Sequence, residues 1–127
     1  MVRDGAEAVL VLADAKHLPR VSLIARLARQ HRLPLISPFR RMTEVGGLMS
    51  YGVNWNDIDR RLAAYAARIL DGATPSDLPF EQPSKFEFVL NLQAAEHLGL
   101  NFTPSLLVRA DEVVERDRSS ICYYNTC

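Results

Sequence analysis

Short apolar runs and helical stripes alternate along the first half of the chain. Residues 8–12, AVLVL, form a continuous apolar run, the pattern of a strand buried on both faces of a parallel sheet. Pro19 suits the first turn of a helix. Within that helix Val21, Ile24, Ala25 and Ala28 recur on one side while Arg20, Arg26 and Arg29 face elsewhere. The spacing predicts an end near His31, and LPLIS (33–37) follows as a second buried strand. Strand, helix and strand in so short a span make a βαβ unit with a right-handed crossover. RRMTEV (40–45) predicts a helical turn stopped by Gly46-Gly47, and GLMSY (47–51) a third strand.

The clearest helical stripe lies in NWNDIDRRLAAYAARILDG (54–72), where Ile58, Leu62, Tyr65 and Ile69 share one side. Asn56 is the expected N-cap, Asp57 and Asp59 favour the positive helix end, and Gly72 stops the helix. ATPSDLPFEQPS (73–84) holds three prolines without periodicity and reads as an extended connector. KFEFVLN (85–91) alternates and then turns apolar, as a strand does. LQAAEHLG predicts a short helix capped by Asn91 and closed by Gly99. TPSLLVRADEVVE (103–115) predicts another, with Thr103 as cap and Pro104 in its first turn. Residues 116–127 lose all pattern and read as a frayed, atypical tail. Alternating strands and helices define an α/β layered fold.

The 127 residues suit one domain, and 48% hydrophobic against 24% charged residues supports a packed core. Fifteen Lys and Arg balance fifteen Asp and Glu. Adjacent basic pairs occur only at Arg40-Arg41 and Arg60-Arg61. On that tally no global field draws nucleic acid or an anionic membrane. No apolar run is long enough to span a bilayer, and the first residues show no export signal. Cys122 and Cys127 have no zinc spacing and no nearby histidine, so they read as two thiols on the tail. No metal or cofactor is expected.

Ligands of open α/β sheets sit beyond the carboxyl ends of strands, which nominates Asp14, Ser37 with Phe39, Ser50 with Tyr51, and Asn54. The stretch GGLMSYGVN (46–54) fails as a nucleophile elbow, because Leu48 stands where Gly-x-Ser-x-Gly needs its first glycine. Gly46, Gly47 and Gly52 do not fit a phosphate loop either. His17, His31 and His97 each stand alone in or beside amphipathic helices and read as solvated or capping groups. As plain local structure, Gly46-Gly47 end a turn and Gly52 eases the exit from a strand. Asp14 either caps the following helix or meets a ligand. A stand-alone receiver-like or interaction domain using Asp14 is the alternative, and it needs acidic residues at a neighbouring strand end. The strand-end set offers a carboxylate, hydroxyls, aromatic faces, an amide and glycine backbone. It lacks a paired acid, base and nucleophile, so binding is favoured over turnover.

Three motifs in order carry a resemblance: GGLMSYG (46–52), ILDGATPSDLP (69–79) and LGLNFTPSLLVRADEV (98–113). With GAEAVLVLADAKHLPRVSLIARLARQHRLPLISPFR (5–40), they resemble the carboxy-terminal part of ABC-transporter substrate-binding proteins, in the branch with tryptophan- and tyrosine-binding members. The resemblance implies an incomplete part of a two-lobed type I periplasmic binding protein, with Rossmann-like parallel-sheet layers closing on a small molecule. It implies delivery of that ligand to a membrane permease, no catalysis, and a periplasmic or cell-envelope setting for intact members. Asp14, Ser50, Tyr51 and Gly52 would face the cleft, with Asn54 on the following loop. The ligand class implied is an aromatic amino acid or a related molecule. Members of the family are much longer and begin with an export signal. The expectation is therefore a truncated product, with residues 1–115 as its C-terminal portion, cytoplasmic if made as written. Val53 stands where proline is expected.

Overall fold

The computed structural model describes residues 5–115, so the tail from 116, with both cysteines, lies outside the described residues. The chain forms five strands and five α-helices. They are β1 (Val9–Leu10), α1 (Val21–Gln30), β2 (Leu35–Ser37), α2 (Arg40–Glu44), β3 (Met49–Val53), α3 (Trp55–Leu70), β4 (Phe86–Asn91), α4 (Leu92–Leu98), α5 (Pro104–Arg109) and β5 (Glu112–Val114). Short 3-10 turns occupy Ala15–Arg20 and Pro75–Asp77. The strands make one sheet in sequence order. β1 with β2, β2 with β3, and β4 with β5 are parallel.

β3 and β4 break the parallel pattern. Asn91 N donates to Leu48 O, while Asn54 N donates to Lys85 O. The two partners therefore run in opposite senses, and the sheet is mixed rather than wholly parallel. Contacts group the residues into two compact units, not one. The first takes the described residues of Met1–Gly52 and Glu87–Cys127, the second Val53–Phe86. The chain passes from one to the other twice, at Gly52–Val53 and at Phe86–Glu87.

In the first unit, α1 and α2 pack on β1 and β2 through Val11, Val21, Ala25, Ala28, Leu35, Phe39 and Met42. Of the inward face that the α1 periodicity predicted, Val21, Ala25 and Ala28 are buried and Ile24 is partly buried against them. A second cluster joins Leu48 to Ala94 and Ala95 of α4, with Leu98 and Phe102 against it. Asn91 caps α4 through a bond from Ala94 N, and Gly99 ends it in the left-handed region (φ 71°), both as expected. The stretch 103–115 yields α5 and then a further strand, β5, where only a helix was expected. AVLVL also departs from expectation. Only two of its residues pair, and Leu10 and Leu12 are 65% and 68% exposed. β1 is an edge strand, and one of its faces lacks a covering layer among the described residues.

The second unit is α3 with the extended segment after it. Its N-cap is Asn54, whose side chain accepts from Asp57 N at 3.0 Å, rather than Asn56. A helix and a connector form no second layer, so the predicted stripe stays open: Leu62 and Ile69 are exposed, and Asp57 is the buried residue of α3. Polar ties take over. Lys85 Nζ lies 2.8 Å from Asp57 Oδ1, and Arg61 Nε lies 2.9 Å from Asp57 Oδ2. Arg61 also reaches Glu81 (2.9 Å) and donates to Ser84 Oγ, while Tyr65 donates to Pro79 O (2.6 Å). Burial and nearby Glu81 push the Tyr65 phenol up.

The bond from Lys85, aided by the charge of Arg61, holds the Asp57 carboxyl below its ordinary range. A depressed folded pKa means the contribution is complete above the unfolded value and disappears as pH falls through the folded one. Trp55, the single tryptophan, opens α3 and reports on it. Asp57→Asn is expected to lower the unfolding midpoint read by Trp55 fluorescence most at neutral pH. The gap to wild type should close below about pH 4, the ordinary aspartate range. A gap unchanged from pH 7 to pH 3 would show that the ion pairs do not hold α3.

Candidate functional site

The parallel run β1–β2–β3 brings three carboxyl ends to one edge of the sheet: Asp14 beyond β1, Ser37 to Phe39 at β2, and Ser50 to Gly52 at β3. Ser37 and Ser50 are direct register partners, and both are 1% exposed. Ser37 Oγ accepts from Phe39 N at 3.1 Å, which turns the chain into α2. The Ser50 hydroxyl is buried without a hydrogen-bond partner among the described residues, a costly state for a polar group. Successive strand residues point to opposite faces, so Tyr51 turns away from Ser50 and is 63% exposed. Its ring meets Phe88 edge-on, with centroids 6.3 Å apart.

Gly52 is required by space. A Cβ there would lie 2.9 Å from Pro38 C and 3.1 Å from its Cα, with the Pro38 carbonyl oxygen nearer still. β3 thus runs against the backbone leaving β2, and only glycine fits. Gly47 is similar: its N–H donates to Met42 O, and a side chain would strike that carbonyl. Asp14 is exposed, and its carboxylate accepts from Lys16 N at 2.8 Å, capping the 3-10 turn. His17 Nδ1 lies 3.1 Å from Leu12 O. Asn54, in the second unit, serves as the cap of α3.

Sequence reasoning missed the ionic tie behind this edge. Arg40, at the start of α2, donates to Glu44 (2.8 Å), to Glu87 of β4 (3.4 Å) and to both oxygens of Glu112 of β5 (2.7 Å). Burial lowers the Arg40 pKa, but the bonds to Glu44 and Glu112 outweigh it and hold the guanidinium above its ordinary value. Only Glu44 stands at a helical spacing from Arg40. The other partners are far away in sequence and leave no local sign. Among the described residues no group of three or more His, Cys, Asp or Glu side chains is placed to hold a metal ion.

Chemically the edge is a mixed wall. It carries an exposed carboxylate, an exposed aromatic ring on a second ring, buried serines, and a backbone brought close by glycine. An α/β chain with such an edge belongs to the class of Rossmann-like ligand-binding folds. The particular family follows from comparison. The ABC transporter substrate binding protein family matches residues 1–114, and the chain belongs to it. Its fold is an incomplete part of the two-lobed type I periplasmic binding-protein architecture. Two solved structures are similar at 25% identity. One is a conserved domain protein from Vibrio cholerae O1 biovar eltor str. N16961, with a TM-score of 0.80 over 88% of this chain and 38% of that one. The other is the ABC domain from Streptococcus pneumonia in complex with L-Trp, with a TM-score of 0.81 over 89% and 38%. CD0873, a substrate binding protein with adhesive properties from Clostridium difficile solved ligand-free and open, shares the fold at 19% identity. Its TM-score is 0.58 over 85% of this chain and 36% of that one. The chain thus spans under two-fifths of the length of these structures. No curated protein matches it.

Proposed function

We propose that this chain supplies one wall of the ligand site of an ABC-transporter substrate-binding component, and that the ligand is an aromatic amino acid or a close relative. The observation that carries the reading is the placement of Asp14 beyond the end of β1 and of Tyr51 and Gly52 towards the end of β3, in parallel strands. The carboxylate of Asp14 suits an ammonium group, and the Tyr51–Phe88 pair offers an apolar face to an aromatic side chain. Ser50 backs the strand from inside, Gly52 sets its approach, and Asn54 shapes the start of the next helix. The L-Trp complex of the streptococcal neighbour supports the ligand class. Membership of a substrate-binding family supports binding and hand-over as the role. The recipient is a membrane permease, and the setting is the cell envelope.

One wall contributes only part of the contacts that make a tight site. Titrating L-Trp into the chain and following backbone amide shifts by NMR should give a Kd of about 1 mM or weaker. The shifts should be confined to residues near Asp14 and Ser50–Gly52, and Tyr51→Ala should remove them. Perturbations centred elsewhere would overturn the site. Micromolar binding by calorimetry would overturn the statement that these residues form only one wall.

A further inference from the structure

A net charge of zero hides a segregation. From Ala15 to Thr43 the chain holds seven of its fifteen Lys and Arg and not one Asp or Glu. Four of its exposed members stand along one continuous segment. Lys16 and Arg20 stand on the 3-10 turn, Arg26 on α1, and Arg32 just after it, all exposed. Successive helical residues turn about 100°. Opposite the buried Val21, Ala25 and Ala28, the outward arc of α1 therefore carries Arg26, Gln30, Leu23 and Leu27 in that order, and Arg20 stands at the cap just before the helix. Two exposed leucines thus share this face with Arg26. Leu18, Leu23 and Leu27 are 42%, 43% and 44% exposed. Arg40, the cation of this stretch that bridges carboxylates, lies apart on α2.

From this placement we infer that the Ala15–Arg32 surface docks on an anionic phospholipid membrane. Arginine and lysine would meet the lipid phosphates while Leu18, Leu23 and Leu27 rest among the headgroups. The occupant is chosen by chemistry. A nucleic acid would use the cations but not the leucines, and its bases stack best on large aromatic side chains, whereas residues 15–38 contain no Phe, Tyr or Trp. A protein partner is gripped by tryptophan, tyrosine and arginine anchors; this segment offers the arginines without an aromatic one, and leucine is under-represented among such anchors. Exposed leucines with cations along the same segment match a charged, partly apolar membrane boundary. Contact is peripheral, since no helix among the described residues is long and apolar enough to cross a membrane. The inference stands apart from the ligand site, because it uses none of Asp14, Ser50, Tyr51, Gly52 or Asn54.

The test is co-sedimentation with vesicles. One set is pure phosphatidylcholine, and the other an equal mixture of phosphatidylcholine and phosphatidylglycerol. The chain is expected on the anionic vesicles and not on the neutral ones, with release as salt rises and the Debye length shortens from about 10 Å towards 3 Å. Each cation near such a surface contributes about a fivefold factor in affinity. The double variant Arg20→Glu, Arg26→Glu should therefore bind at least about tenfold more weakly, with its circular dichroism unchanged. Leu23→Ser with Leu27→Ser should weaken binding severalfold. Leu10 and Leu12 are also exposed, and binding through apolar side chains alone would be as strong on neutral vesicles. Equal binding to both vesicle types, no binding to either, or full binding by the arginine double variant would each overturn the inference.

Discussion

Gly52→Ala is expected to lower the unfolding midpoint of the chain by about 10 °C or more, a loss of about 3 kcal/mol. The cause is contact, not backbone angle. A methyl group at position 52 would be driven into the carbonyl of Pro38, with the carbonyl carbon only 2.9 Å away. Both partners are main chain, so no rotamer change relieves the clash, and β3 must move away from the backbone that leaves β2. That movement breaks the register of Ser50 on Ser37 and displaces Tyr51 next to it. Gly99→Ala is the control. Gly99 is left-handed (φ 71°) with nothing within 4 Å of an added Cβ, so alanine there should cost only about 1 kcal/mol of backbone strain. Thermal unfolding followed by circular dichroism separates the two. Equal, small losses at both positions would show that β3 can slide, and that Gly52 is an ordinary turn glycine.

The same glycine shows what the sequence discloses and what it withholds. GGLMSYG marks a strand end bounded by glycines, but nothing local announces that Pro38, fourteen positions earlier, fills the space beside Gly52. Local chemistry was legible wherever one residue decides it. Asn91 and Gly99 bracket α4 because an amide cap and a left-handed stop are individually sufficient. The start of α3 was less so, since Asn54 and Asn56 carry the same capping side chain. The cap falls on Asn54, where extended backbone leaves β3 directly. Strand direction was not legible. The antiparallel pairing of β3 and β4 is set by contacts such as Leu48 with Asn91, which no short window contains. β5 is only three residues long, too short to show a period beside the α5 stripe. At the strand ends that position in the fold nominated, the pleat divides the set. Ser50 points into the protein and Tyr51 out of it, a separation that follows from period two once β3 is known to be a strand. Net charge misled in a different way. A balanced total said nothing about where the cations lie, and the acid-free stretch between Asp14 and Glu44 was the available sign.

Asn91→Ala should be nearly as damaging as the change at Gly52, with a loss of about 2–4 kcal/mol. Asn91 is fully buried and ties three elements together. Its backbone N–H donates to Leu48 O of the chain entering β3 (3.0 Å), its Oδ1 accepts from Ala94 N at the start of α4 (2.9 Å), and its Nδ2 donates to Thr43 O in α2 (2.8 Å). Alanine keeps only the first. It removes the cap of α4 and one of the two donors to the buried Thr43 carbonyl, which keeps only the longer bond from Gly46 N (3.2 Å), in a residue whose own hydroxyl already lacks a partner among the described residues. Asn91→Asp separates these terms. The carboxylate retains the capping oxygen but places a buried negative charge against the Thr43 carbonyl, which raises its folded pKa. A raised folded pKa in an acid means the penalty is largest at neutral pH and shrinks as the group protonates and recovers a donor. Asn91→Asp is therefore expected to be strongly destabilised near pH 7 and to approach wild type as the pH falls towards the aspartate range, whereas Asn91→Ala should show the same deficit throughout. Denaturant unfolding across that range decides it. A pH-independent deficit in Asn91→Asp would mean that the Thr43 bond contributes nothing and that the loss comes from elsewhere in the packing of α4.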